Sequence, residues 1–240
     1  MFIIHSIILA SNGIIQIIEK KVVSPSSPSI SIIIPFLNES ENLHQCLASI
    51  PKADGITVIA SDGGSSDDSI EIATHYGATI VRASKGRATQ MNAGAKIATS
   101  DVLLFLHADT SLPANAIESI QQAMTNDYAV GCFERVFDSD SPLLKRTSHW
   151  AGWRARKFFF AFGDQAIFIR RDSFEYLGGY RNLRRFEDLD LSLRARKRDR
   201  WTVLSGPVTT SSRRFGKSPL RRVIKDACIT IAWLLGIIRS

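Results

Sequence analysis

Cysteine is scarce and poorly placed for cross-linking: the 240-residue chain has three, Cys46, Cys132 and Cys228. An odd number of widely separated thiols gives neither a disulfide framework nor a zinc-ligand spacing, and a reducing cytoplasmic setting fits best. Glycine-rich phosphate loops are missing too. No G-x-G-x-x-G follows the first strand-like run and no G-x-x-x-x-G-K-[ST] is present, which argues against a dinucleotide dehydrogenase and a P-loop enzyme. Long apolar runs are also lacking. Residues 2–18 are rich in Ile but are broken by His5, Ser6, Asn12, Gly13 and Gln16. A membrane span needs about 20 mostly apolar residues, and the segment lacks the basic start and small-residue cleavage site of a secretory signal. Asn12-Gly13 between apolar runs predicts an extra hairpin or a loose extension, with a membrane anchor as the second reading. Ser24-Pro25-Ser26-Ser27-Pro28-Ser29 predicts a linker, so residues 1–29 form an extension and the domain proper begins at Ile30.

Acids are short in one region. Between Arg181 and Lys225 there are fourteen Lys and Arg against four acids, a local +10 in a chain of net charge +7. Such a segment suits anionic lipid, nucleic acid or phosphorylated substrates, with a solvated surface as the plain alternative. Beyond it, Leu220, Val223, Ile224, Ala227, Ile231, Leu234, Leu235 and Ile238 recur at helical period. Residues 216–240 are therefore expected to form a basic, amphipathic C-terminal helix. It either packs on the domain or lies peripherally in a membrane interface, with Arg213, Arg214, Lys217, Arg221, Arg222 and Lys225 near anionic headgroups.

What the chain does have is alternation. Residues 30–35 are a β-branched apolar run typical of a buried parallel strand. Asn38 and Glu41 look like a capping box for a helix bearing Leu43, Cys46, Leu47 and Ile50. Strands are expected at 56–60, 79–82, 102–106 and 130–137, with helices starting near Ile70, Gly86 and Ile117 and again at Glu187. Strand and helix alternating with short connections predict an α/β fold with a mostly parallel central sheet. Open sheets of this kind bind ligands at the carboxyl ends of their strands. The polar clusters Asn38-Glu39, Asp62-Gly63-Gly64 and His107-Ala108-Asp109 all fall there.

Those clusters supply candidate chemistry. Asp62 can accept hydrogen bonds from a ribose or base edge, or can simply make its turn. Asp109 can hold Mg²⁺ or Mn²⁺ bridging phosphate oxygens, or can cap the helix after Pro113. Glu187 and Asp188 open a helix, where the dipole favours acids in any case. One of the two can serve as general base if it reaches an acceptor hydroxyl. Lys85-Gly86-Arg87-Ala88-Thr89-Gln90-Met91-Asn92 brings a cation, amides and small residues to a helix start, which suits a phosphate or sugar.

Together these segments resemble the family-2 glycosyltransferases with the GT-A fold, over residues 30–215. The resemblance rests on Ser31-Ile-Ile-Ile-Pro35-Phe-Leu-Asn38-Glu39, Ser61-Asp62-Gly63-Gly64-Ser65-Ser66-Asp67, His107-Ala108-Asp109 and Glu187-Asp188. The finer pattern, Gly-Arg87-Ala-Thr-Gln90-Met-Asn92-Ala-Gly94, Leu-His107-Ala-Asp109-Thr and Gly163-Asp164-Gln165-Ala, is similar to a subgroup linked to arsenosugar biosynthesis and radical-SAM or selenium-associated gene neighbourhoods. The resemblance implies a nucleotide-binding half over about 30–130 and an acceptor half over about 131–215. It implies nucleotide-sugar contacts from Pro35, Glu39, Asp62, Gly63, Arg87, Gln90, Asn92, His107, Ala108, Asp109, Asp164 and Gln165. Asp109 would bind the divalent cation, and Asp188 would be the base with Glu187 supporting it. The implied reaction is inverting transfer of a sugar from a nucleotide diphosphate to a small-molecule or lipid-linked hydroxyl, with no nucleic acid partner. Two departures stand out: the common family pattern has acids where Gly63 and His107 stand, which leaves fewer carboxylates for metal. The competing functions are a metal-dependent nucleotidyltransferase and a non-catalytic basic module on membrane or nucleic acid. The first would need a basic loop after the first strand, where Phe36-Leu37-Asn38-Glu39 is acidic instead.

Overall fold

The computed structural model describes residues 27–216 and 218–238. The hairpin expected at Asn12-Gly13 and the first half of the Ser/Pro linker lie outside them. β1 (Ile30–Phe36) is buried along its whole length, as its unbroken apolar run requires. β2 (Ile56–Asp62) and β4 (Val102–Phe105) flank it in parallel, and β3 (Thr79–Arg82) extends the sheet in parallel beyond β2. The helices α1 (Ser40–Ala48), α2 (Ser69–His75) and α3 (Arg87–Ile97) carry the chain between these strands. β5 (Thr110–Ser111) and α4 (Ala116–Thr125) follow, and then β6 (Val130–Phe137). The second half adds α5 (Pro142–Phe158), β7 (Ile167–Arg170), α6 (Arg171–Tyr176), α7 (Glu187–Ala195), β8 (Trp201–Thr210) and α8 (Pro219–Leu234). All eight strands form one sheet in the order β3-β2-β1-β4-β7-β6-β8-β5. β7 runs antiparallel to β4 and β6, and β5 antiparallel to β8, so the sheet is mixed but mostly parallel.

Alternate residues of β1 feed two cores, as period-2 geometry dictates. Ile30, Ile32, Ile34 and Phe36 pack with Leu43 of α1 and Ile117 and Ile120 of α4. Ile33 faces the other side, with Met91 of α3 and Leu191 of α7. α3 lies very close to the sheet: a Cβ added at Gly94 would stand 2.6 Å from Ile33 Cγ2.

Three expectations needed correction. The capping box is not formed. Asn38 takes a left-handed φ of 55° and its Oδ1 accepts from Ser66 N, while Asp67 caps both neighbouring helices by accepting from Ser40 N and Ser69 N. The loops after β1 and β2 are adjacent, so bonds between loops replace the local one. Residues 142–158, where no element was expected, form the long helix α5. Its buried face is Leu144, Ser148, Ala151, Gly152 and Ala155, small residues that give a weak apolar stripe but close packing. β8 was not expected either. Its register against β6 slips between Phe133 and Arg135, opposite a stretch containing Pro207, which has no N–H for the ladder.

The C-terminal helix forms as expected, yet none of its residues is buried. It is tethered where Val223 packs on a small cluster of Phe137, Leu144 and Phe215.

Candidate active site

Two cavities open at the carboxyl ends of the parallel strands. The first, about 280 Å³, is lined by Pro35, Phe36 and Leu37 after β1, Glu39, the start of α3 from Lys85 to Arg87 with Gln90, and His107, Ala108 and Asp109 after β4. The second, about 470 Å³, is walled by α5, by Gly163 and Asp164, by the start of α7 and by α8. Arg87 and His107 line both.

The junction between them is built from acids and one imidazole. Glu187 and Asp188 begin α7, where unpaired backbone N–H groups favour carboxylates. Glu187 forms an ion pair with Arg87 at 2.8 Å, which joins the first turn of α7 to the first turn of α3. Asp188 Oδ2 accepts a hydrogen bond from Gly163 N at 3.0 Å, whereas Oδ1 has no hydrogen-bond partner among the described residues. Burial first, and then the neighbouring Glu187, push the Asp188 carboxyl up to about 7. The Tyr180 phenol is pushed well above its ordinary value by burial and by the charge of Asp188 beside it. A Cβ on Gly163 would fall 2.2 Å from His107 Nε2 and 2.5 Å from Asp188 Oδ2, so only glycine lets the two groups approach. Burial and the nearby Arg87 lower the His107 pKa to about 4, which leaves a neutral imidazole at neutral pH.

Asp109, at the far end of the first cavity, is partly buried with its side chain 26 % exposed. Burial raises its pKa, against the pull of Arg213. Arg213 Nη2 lies 3.9 Å from Asp109 and bonds Glu39 Oε1 at 2.6 Å, which brings a cation from the C-terminal segment beside two acids of that cavity. Among the described residues no three His, Cys, Asp or Glu side chains converge as a closed metal cage. One carboxylate beside a phosphate-sized space is nevertheless the donor set by which Mg²⁺ or Mn²⁺ is shared between protein, phosphate oxygens and water. Asp109 fits that arrangement, and a cation there would offset the charge that burial disfavours.

Pro35, Glu39, Arg87, Gln90, His107, Ala108 and Asp109 are thus brought together, and Asp164, Glu187 and Asp188 meet across the junction. Four expected contacts lie outside both cavity walls. Asp62 is buried and accepts from Ser65 N at 2.8 Å, making its turn. Gly63 stands where the Gln90 side chain fills the space: an added Cβ would be 3.0 Å from that amide. Gln90 in turn donates to Phe36 O and Ser61 O, tying the ends of β1 and β2. Asn92 is a clamp, bonded at both ends of its amide to the Tyr180 backbone. Gln165 is buried and holds Arg154 to Phe133 O of β6. Amide side chains with paired donor and acceptor satisfy buried backbone as readily as a ligand, and in this structure Asn92 and Gln165 bond protein groups while Gln90 also lines the first cavity.

Sequence reasoning missed Gly163, Arg135, Arg154, Arg213 and Arg214. Arg135 had a signal: it occupies the same face of β6 as Phe133 and Phe137, a charge at an inward position of an apolar strand.

The family model "Glycosyl transferase family 2" matches residues 31–187. The chain belongs to this family. Among relatives, an uncharacterised glycosyltransferase of Mycobacterium tuberculosis is 30 % identical over 93 residues, covering 38 % of this chain and 42 % of its own length. A PGL/p-HBAD biosynthesis glycosyltransferase of the same species is 31 % identical over 182 residues, covering 66 % of this chain and 65 % of its own. The chain therefore spans less than two thirds of the length of either relative. Among solved structures, S. aureus TarS 1–349 in complex with UDP-GlcNAc superposes with a TM-score of 0.64 at 15 % identity, over 77 % of this chain and 58 % of that one. The mannosyltransferase PcManGT from Pyrobaculum calidifontis, in complex with GDP-Man and Mn²⁺, gives 0.62 at 15 % identity, over 78 % of this chain and 57 % of that one. The fold of this family-2 chain is accordingly GT-A.

Proposed function

We propose that the chain is an inverting glycosyltransferase that moves a sugar from a nucleotide diphosphate to an acceptor hydroxyl. The observation that carries this reading is the meeting of two cavities at Arg87 and His107, with a buried, half-satisfied carboxylate, Asp188, facing the second. The first cavity takes the donor, with Pro35 and Glu39 toward the nucleotide and Lys85 and Arg87 toward the diphosphate. Asp109 would hold a divalent cation, which the Mn²⁺ in the mannosyltransferase complex supports, and the group would supply positive charge toward a diphosphate. The acceptor enters the second cavity. Asp188 Oδ1 takes the hydroxyl proton as the acceptor oxygen bonds to the anomeric carbon. The bond from that carbon to the nucleotide diphosphate breaks with its electron pair on the diphosphate, so configuration inverts. Gly163 N–H holds Oδ2 and so aims Oδ1, and Glu187 keeps Arg87 at the junction. Neutral His107 and the aromatic walls exclude water that would otherwise hydrolyse the donor.

The subgroup resemblance supports an arsenosugar-like small molecule as the product. The three free cysteines support a cytoplasmic setting. Among the described residues no helix is long and apolar enough to cross a membrane. The exposed apolar side of α8, with Leu220, Ile224 and Leu235, supports peripheral contact with a membrane surface instead.

Screening nucleotide-sugars for donor hydrolysis and transfer, with and without Mn²⁺, tests the reading. One donor should be consumed, and Asp188→Asn should lower transfer by about 10²–10⁴-fold, as loss of a general base does, while nucleotide binding measured by calorimetry persists. Asp109→Asn should weaken Mn²⁺-dependent nucleotide binding in the same calorimeter. Full turnover in Asp188→Asn would remove Asp188 as the base, and no hydrolysis of any donor would count against the whole assignment.

A further inference from the structure

The acceptor cavity holds more cations than proton transfer uses. Seven arginines line it against four acids, Asp164, Glu187, Asp188 and Asp226. Three of the arginines form a cluster behind the base. Arg135 Nε lies 3.4 Å from Asp164 Oδ2, and Arg214 Nη2 lies 3.7 Å from the same oxygen. Arg154 joins them by donating from Nη2 to the adjacent Gln165 at 2.7 Å. Each guanidinium is laid on an aromatic face: Arg135 on Phe137 at 4.3 Å, Arg154 on Phe162 at 4.4 Å and Arg214 on Phe215 at 5.1 Å. Stacking occupies the faces of a guanidinium and leaves its N–H edges for acceptors in its plane.

Those edges are undersupplied. Arg135 is 9 % and Arg154 5 % exposed. Arg135 Nε and Nη1 and Arg154 Nε have no hydrogen-bond partner among the described residues. Buried cations normally have a full complement of acceptors, because leaving them short is costly. Three guanidiniums and one carboxylate leave a surplus of two positive charges. A carboxylate ligand would cancel half of it. A phosphate monoester, at about −1.5 to −2 near pH 7 and with three acceptor oxygens, matches the surplus and the geometry.

We propose that Arg135, Arg154 and Arg214 form a phosphate-binding subsite, and that the acceptor is a hydroxyl compound carrying a phosphate group. The proposal rests on the transfer reading of the same cavity and specifies its acceptor class. The phosphate would be bound between the β6, α5 and 213–215 arginines, and the reacting hydroxyl would reach forward to Asp188. The same chemistry could come from a soluble sugar or polyol phosphate, or from a lipid phosphate whose tail leaves along α8.

The test begins with the full chain and calorimetry against UDP and GDP, which fills the donor cavity. A chain that binds neither nucleotide refutes the transfer reading rather than the subsite. Inorganic phosphate is then titrated into the nucleotide-saturated chain and followed by ³¹P line broadening. Saturable binding is expected, weakened at least tenfold in Arg135→Gln and in Arg214→Gln and unchanged in Arg200→Gln, a control that lines neither cavity and pairs with Asp127 just before β8. Arg214 is 46 % exposed, so its substitution keeps the test valid if Arg135→Gln fails to fold. Acetate should compete at least tenfold less well. Absence of saturable binding, equal competition by acetate, or equal loss in the Arg200 control would overturn the subsite. Glycerol 3-phosphate and dodecyl phosphate then separate the sources: parity assigns a soluble acceptor, and a tenfold preference for the alkyl phosphate assigns a lipid one.

Discussion

In the proposed reaction, one proton on Asp188 bears on both catalysis and stability. Its carboxyl is raised to about 7 by burial and by Glu187, against an ordinary value of 3.8. As a base it must be ionised, so kcat/KM for transfer should climb with pH through about 7 and level off above it. The effect on stability has the opposite sense. Between about 4 and 7 the folded chain keeps a proton that the unfolded chain has released, so this group lowers stability as pH rises across that window. Asp188→Asn cannot ionise and escapes the loss. Thermal melts should show the variant matching the parent near pH 4 and exceeding it at pH 8 by about 2–4 °C or more, the shift that 1 kcal/mol gives at this chain length. A constant difference across that range would mean that Asp188 titrates normally and that the site is less dry than its burial implies. In the sequence the acidic pair stood out only through the family resemblance, because a helix start favours acids in any case; the structure adds its burial at the junction of the two cavities. Gly163, the partner of Asp188, was not legible. A backbone donor leaves no trace in residue type, and the glycine matters only because His107 and Asp188 converge on it from distant segments.

Elements with a strong period were legible, and those that depend on small residues were not. β3 and β6 have the bounds that their apolar runs predict, whereas α5 hides behind a stripe of Ser, Ala and Gly. α3 shows the same economy, and its close approach can be tested. Gly94→Ala should gain about 1 kcal/mol of helix propensity in an exposed helix. Here the new methyl would meet Ile33 Cγ2 at 2.6 Å, on a side chain that is fully buried and β-branched. Overpacking of that kind costs about 1–3 kcal/mol, so the clash wins and the net effect is destabilising. Chemical denaturation of Gly94→Ala should give a lower midpoint with an unchanged slope. Because α3 begins with Arg87, the displacement should also weaken the Arg87–Glu187 pair and lower turnover. A midpoint at or above the parent's would show that α3 has room to shift, and that the sheet contact does not fix the position of Arg87.

At the scale of the molecule, the charge asymmetry and the apolar patch coincide. From the basic segment between Arg181 and Lys225, Arg184, Arg185, Arg214 and Arg222 line the second cavity, and Arg221, Arg222 and Lys225 lie on α8. α8 has no buried residue, and next to it α5 exposes Trp150, Trp153, Phe158 and Phe159. Phe162, Phe186 and Trp233 then link the cavity loop, the start of α7 and α8 in one aromatic chain. The sequence held α8 as either a packed helix or an interfacial one. Val223 and Trp233 tie it down, while Leu220, Ile224 and Leu235 remain exposed. Exposed aromatic and aliphatic side chains flanked by Arg221, Arg222 and Lys225 match an anionic lipid surface, where each cation contributes about 1 kcal/mol. The full chain should therefore sediment with vesicles of anionic phospholipid at low salt and far less with zwitterionic ones. Because the cation contribution is screened, binding to the anionic vesicles should fall as salt rises from 0.05 to about 0.5 M. Ile224→Glu with Leu235→Glu replaces apolar surface by charge of the wrong sign, and should release the protein at every salt concentration while leaving nucleotide binding intact. Retention of the double variant on vesicles would place the contact elsewhere on the basic surface. Failure of the parent to bind either vesicle would leave α8 as a cover over the acceptor cavity and favour a soluble acceptor.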